Sequence, residues 1–84
     1  MKIKKFTIHG TKMGEQTEMT LDEISIVAPP ETLRNIGLFL VNAAYEMERH
    51  GVEHIHLQDV FENFSSKDHV DIIALNNLII QTPN

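Results

Sequence analysis

Two prolines and a glycine mark the two ends of one long segment in the middle of the chain. This segment constrains the fold more than any other feature. Pro29 and Pro30 interrupt the preceding strand. A proline costs little in the first turn of a helix because its missing N–H has no helical partner there. At the far end, Arg49 and His50 stand where the helix dipole favours cations, and Gly51 suits the left-handed position after a helix. The pattern predicts a helix from about Pro30 to His50.

The apolar residues of this helix cover more of its circumference than a surface helix needs. On a helical wheel they span an arc of about 200°, compared with about 100° for an ordinary surface helix. The predicted core stripe consists of Leu33, Ile36, Gly37, Leu40, Ala44 and Met47, and it is widened by Phe39, Val41 and Ala43. Leu38 and Tyr45 lie outside this arc. The extra apolar surface is explained either by coverage from the termini or by an oligomer contact, and the sequence leaves both open.

The segments on either side of the helix alternate apolar and polar residues, as strands do. We expect strands at residues 2–9, 18–28, 53–60 and 70–80, loops at 10–17 and 61–69, and an end to the last strand at Pro83. The predicted fold class is α+β, a two-layer β-β-α-β-β arrangement. In it, an antiparallel sheet of about four strands carries one long helix on one face. A chain of 84 residues buries roughly 63% of its unfolded surface, which supports a single domain over residues 1–84.

Charge is distributed unevenly along the chain. The first twelve residues carry four lysines and no acid, whereas the remainder has three cations against twelve acids. Phosphate backbones repel so acidic a body, so we expect a basic protein partner and no nucleic acid. The basic first strand is explained equally by protection of an exposed sheet edge. The chain has no cysteine, no signal-peptide pattern and no apolar run near the ~20 residues that cross a bilayer, so we expect a cytoplasmic protein without membrane association.

The strand at 53–60 places its histidines away from the helix. Because strand residues alternate between faces, Ile55 and Leu57 are expected to face the helix, which turns His54, His56 and Gln58 to the open face. Hydrogen bonding and stacking across that face explain such a pair of histidines simply.

A metal site is the second, more specific interpretation of His54 and His56. His54 and His56 project to one side and are spaced to share an ion, with Glu53 or Asp59 nearby as a further ligand. Asp59 and Asp71 also suit an acid–base pair, although the charged ends of a hairpin explain them better. We therefore expect no catalytic residue, no cofactor and no resident metal. A small metal-binding protein or enzyme built on His54 and His56 stays as the alternative function.

Three segments in a fixed order resemble the immunity protein 32 family. They are PETLRNIGLFLVNAAYEM with its Pro-Glu-x-Leu start, HIHLQD, and VDIIAL, which follows a loop containing Ser65 and Ser66. The likeness covers roughly residues 29–76. It implies a small cytoplasmic protein of a bacterial polymorphic toxin system, which protects the cell from a toxin made by itself or its kin. The family supplies no catalytic motif.

An inhibitor of this kind needs a rigid scaffold and an acidic surface that complements a basic toxin site. Such complementarity acts mainly on the association rate and on partner choice. We expect the chain to bind its cognate toxin through a surface made of His54, His56, Gln58, Asp59 and Asp71. A structural subunit that only dimerises is a third possibility.

The alternation of the last strand predicts a homodimer. Either Ile72 and Ala74 or Ile73 and Leu75 must point away from the helix, and monomers seldom expose contiguous apolar patches. The dimer is expected to form through the open sheet face or by pairing of strand 70–80 with its copy. Light scattering at micromolar concentration and about pH 7.5 should give the mass of a dimer. A mass near 9.6 kDa, that of one chain, would contradict this prediction. Protonation of the histidines near ~pH 5.5 should weaken the face-to-face form.

Overall fold

The computed structural model describes residues 1–80 of the 84-residue chain. Its elements are β1 (Ile8–Thr11), β2 (Glu18–Leu21), α1 (Pro30–His50), β3 (His54–His56), a 3₁₀ turn (Leu57–Asp59) and β4 (Ile73–Leu75). The predicted α+β class and β-β-α-β-β order are confirmed. Pro83, which was expected to end the last strand, lies outside the described residues. Within residues 1–80, no helix has both the length and the apolar character needed to span a membrane.

The long helix begins and ends where its boundary residues predict. Pro30 is its first residue, and the Leu33 N–H donates to the Pro29 carbonyl at 3.0 Å. At the other end, Gly51 adopts the left-handed conformation with φ 61° and donates its N–H to the Met47 carbonyl at 3.2 Å. The proline pair and the glycine therefore perform the capping roles that their chemistry favours.

The strands form two separate antiparallel sheets, so the prediction of one four-stranded sheet is not met within the described chain. β1 pairs with β2, and β3 pairs with β4. The strands are also shorter than the predicted ranges 2–9, 18–28, 53–60 and 70–80, and the first loop is shorter than 10–17 because β1 continues to Thr11. Alternation reports which side chains share a face, whereas a strand also needs a hydrogen-bonding partner. Among residues 1–80, the segments 2–7 and 22–28 have no backbone partner.

The first two strands form an amphipathic hairpin. Its tight turn contains Gly14 with φ 80°, a conformation that favours glycine. His9 lies opposite Thr20 on one face, and Ile8 lies opposite Leu21 on the other. The hairpin therefore has one polar and one apolar face.

The buried core is small and lies on a different side of α1 from the predicted stripe. Phe39 and Ala43 of α1 are 3% and 2% exposed, and Leu57 is 7% exposed. Leu33 and Leu40, which belong to the predicted core stripe, are exposed. At 100° per residue, the buried face is rotated by roughly a quarter of a turn from that stripe. The physical reason is that Phe39 offers the largest apolar side chain, and its burial turns the leucines outward.

Two glycines of the helical segment should respond oppositely to the same substitution. A Cβ at Gly51 or at Gly37 would meet no atom within 4 Å, so sterics do not distinguish the two sites. Gly51→Ala forces a left-handed backbone onto an L-residue and should lower the free energy of unfolding by about 1 kcal/mol. Gly37→Ala lies within α1 and should raise it by about 0.5–1 kcal/mol. Urea denaturation at one protein concentration measures both changes, and equal effects would contradict the capping role of Gly51.

Candidate functional site

The hairpin of β3 and β4 brings the predicted site residues together. His54 pairs with Leu75 and His56 pairs with Ile73, and directly opposed residues share a face. The Leu57 N–H donates to the Ile72 carbonyl at 2.8 Å, so pairing continues one step beyond the strands. Because Ile72 is paired with Leu57, the preceding residue Asp71 lies beside the segment that contains His56 and Gln58.

The Asp71 carboxylate joins the two sides of this hairpin. The Nδ1–H of His56 donates to Oδ2 of Asp71 at 2.7 Å, and the Gln58 backbone N–H donates to Oδ1 at 3.0 Å. An ionised carboxylate only accepts hydrogen bonds, so the contact fixes the proton of His56 on Nδ1. The ring is thereby oriented with its Nε2 edge away from Asp71.

His54 stands beside His56 as the strand period predicts. The centroids of the two rings are 5.4 Å apart, in an edge-to-face arrangement. Nδ1 of His54 lies 3.7 Å from the Glu53 carboxylate, and both of these side chains are largely exposed. His54 therefore presents a polar edge to solvent, next to the more strongly held ring of His56.

The two remaining predicted residues lie in the 3₁₀ turn and not on a strand, which corrects the prediction for 53–60. Gln58 is exposed and contributes its backbone N–H to Asp71. Asp59 is exposed, and within the described residues it makes no hydrogen bond or ion pair. Asp71 is thus partnered by His56 and Gln58 and forms no acid–base pair with Asp59.

Among residues 1–80, neither a hydrogen-bonded nucleophile nor a metal-ligand group accompanies the pair of His56 and Asp71. A histidine oriented by an aspartate occurs in nucleophilic active sites, but the chain has no cysteine. Within residues 1–80 no hydroxyl group hydrogen-bonds to His56. In the same range, no three His, Asp or Glu residues come together in a group that could hold a metal ion. No observation in this part of the chain favours the metal-binding alternative.

The structure also shows polar clusters that the sequence did not single out as sites. His9 on β1 lies 3.3 Å from the Glu18 carboxylate, and its Nε2 lies 3.1 Å from the Thr7 hydroxyl. His69 accepts the Ser65 N–H at Nδ1 at 2.9 Å, which ties the ends of a tight loop. The pairing of His9 with Glu18 depends on the register of the first hairpin, so only a correct prediction of its turn would have revealed it.

Removal of the Asp71 carboxylate should destabilise the fold more than removal of the neighbouring Asp59 carboxylate. Asp71→Ala leaves His56 and the Gln58 N–H without their acceptor, and we expect a loss of about 1–2 kcal/mol in the free energy of unfolding. Asp59→Ala removes a carboxylate without internal partners and should change that free energy by less than about 0.5 kcal/mol. Chemical denaturation monitored by circular dichroism measures the free energy of unfolding of both variants. A loss for Asp71→Ala no larger than that for Asp59→Ala would show that the junction is not structural.

Comparison with known proteins identifies the family of the chain. The family model described as Immunity protein 32 matches residues 23–80, which is more than half of the sequence. Searches of the curated proteins and of the solved structures found no significant match. The matched region contains α1, the hairpin of β3 and β4, and the Asp71 junction between them. The chain therefore belongs to the immunity protein 32 family.

Proposed function

We propose that this chain protects its cell by binding and neutralising a cognate toxin, without catalysing a reaction. The observation that carries the proposal is membership of the immunity protein 32 family over residues 23–80. The proposed contact surface consists of His54, His56, Gln58, Asp59 and Asp71. We place its action in the cytoplasm and expect the protein to act there as a homodimer.

The geometry of the β3–β4 hairpin supports binding as the mode of action. His56 is fixed in orientation by Asp71, and Asp71 is fixed by the Gln58 N–H. Side chains already held in place lose less conformational entropy when a partner binds. Around them, His54 and Asp59 are exposed and available for direct contact.

Charge supports a basic partner. From residue 53 to residue 71 the chain carries five carboxylates and one lysine. An acidic patch raises the encounter rate with a basic protein surface and disfavours nucleic acid. We therefore expect the toxin to present a basic site to this patch.

Co-expression tests the protective function. The probe is the toxin domain encoded by the gene next to the gene for this chain, expressed from an inducible promoter. Cells that also express the chain should grow when the toxin is induced, and cells with an empty vector should not. An unrelated small acidic protein serves as the control for expression burden. Failure of the chain to rescue growth, although it accumulates in soluble form, would contradict the proposal.

Charge reversal tests the proposed surface. Asp59→Lys should slow association with the purified toxin domain by about tenfold at low salt, and the effect should shrink as salt screens the charge. Asp59 has no internal partner among the described residues, so the variant keeps its fold.

Glu23→Lys is the matched control for this experiment. Glu23 is also exposed and without an ion pair in the described chain, but it lies between β2 and α1, outside the proposed surface. Surface plasmon resonance at two salt concentrations measures both rates. If both variants slow association equally, the effect comes from the net charge of the protein and not from the position of the residue. That result would contradict this placement of the toxin contact.

A further inference from the structure

The protein exposes far more surface than a folded monomer of its mass. Its accessible surface is 7814 Å², whereas scaling from mass predicts about 5,100 Å² for a folded chain of 9.6 kDa. The difference is roughly 2,700 Å². An excess of this size shows that the fold covers its side chains less completely than folded monomers of this mass do.

Much of the exposed surface is apolar and continuous with the core. Leu40 of α1 and Ile73 of β4 are each 47% exposed, and Ile26 is equally open. Together with Phe6, Ile36 and Phe61 they line a groove of about 1260 Å³ between α1, β4 and the N-terminal segment. Small-molecule pockets measure about 300–1,000 Å³, and isolated monomers rarely expose large contiguous apolar patches. The groove therefore fits a macromolecular surface better than a small ligand.

The N-terminal hairpin is attached to the rest of the chain without polar links. Within residues 1–80, no hydrogen bond and no ion pair joins residues 1–28 to residues 30–80. In this part of the chain each of the two sheets has two strands, so each leaves edges with unpaired backbone groups. Two-stranded sheets are marginally stable alone and need further packing. The described residues therefore provide no further layer over the hairpin or the groove.

We propose that a second copy of this chain covers the groove in a two-fold symmetric homodimer. A two-fold contact places the same apolar surface of each protomer against the other, so one chain supplies both sides. Specific interfaces bury about 800 Å² on each partner, which is less than a third of the excess surface of roughly 2,700 Å².

The charge of the groove distinguishes a second copy from the toxin as occupant. Among residues 1–80, its lining contains one lysine, Lys5, and two carboxylates, Asp68 and Asp71, so this part offers little to a strongly basic partner. His54, His56, Gln58 and Asp59 do not line it. Dimerisation through the groove therefore leaves most of the proposed toxin surface accessible, and this inference does not depend on the toxin-binding proposal.

Two leucines on the same helix provide a matched test. Leu40 lines the groove and is 47% exposed, whereas Leu38 is 54% exposed and lies outside it. Wild-type protein at micromolar concentration should sediment with twice the 9.6 kDa chain mass. Leu40→Asp should raise the dimer dissociation constant by at least about tenfold, while Leu38→Asp should leave it unchanged.

Circular dichroism of both variants checks that α1 is retained. If Leu40→Asp unfolds, the melting temperature of the wild-type protein at several concentrations tests for the dimer instead. A dimer melts at a higher temperature when it is more concentrated. A wild-type mass of 9.6 kDa, a concentration-independent melting temperature, or equal dissociation by both variants would overturn the proposal. A monomeric wild type whose toxin binding is lost in Leu40→Asp would assign the groove to the toxin.

Discussion

The apolar circumference of α1 is larger than the rest of residues 1–80 covers, and the organisation of the molecule depends on that imbalance. Phe39 and Ala43 turn one side of the helix into the core, and this orientation leaves Leu33 and Leu40 exposed. A core limited to a few buried side chains supplies little of the free energy that ordering the backbone requires. The proposed association with another copy would supply the missing burial without a longer chain.

The second organising contact is the junction made by Asp71. It is electrostatic and directional, and it lies on the hairpin that follows the helix. The apolar groove and the polar hairpin surface therefore differ in chemistry. We propose that the groove binds a surface identical to itself and that the hairpin surface binds a basic partner. Asp71 belongs to both regions, because it lines the groove and is part of the proposed toxin surface.

The features that were predictable from the sequence are those set by local chemistry. The helix ends follow from the proline pair and from Gly51, whose backbone preferences act within one turn. The common side of His54 and His56 follows from the two-residue period of a strand. The family resemblance rested on the same region, which the family model matches.

The features that were not predictable depend on distant partners. An apolar arc of about 200° allows several helix orientations, so the wheel did not select Phe39 over Leu40 as a core residue. Strand lengths depend on where a hydrogen-bonding neighbour ends, and residues 22–28 alternate without one in the described chain. The bond between His56 and Asp71 depends on the register across the intervening loop, which alternation alone does not specify.

We propose that this protein acts by binding its toxin and not by catalysis. Titration of the purified toxin domain with the purified chain distinguishes these two modes of action. Stoichiometric binding predicts that toxin activity falls linearly as the chain is added and reaches zero when one chain is present for each toxin molecule. Complete loss of activity at a small fraction of that ratio would indicate turnover, and it would contradict the account, as would full toxin activity at an excess of the chain.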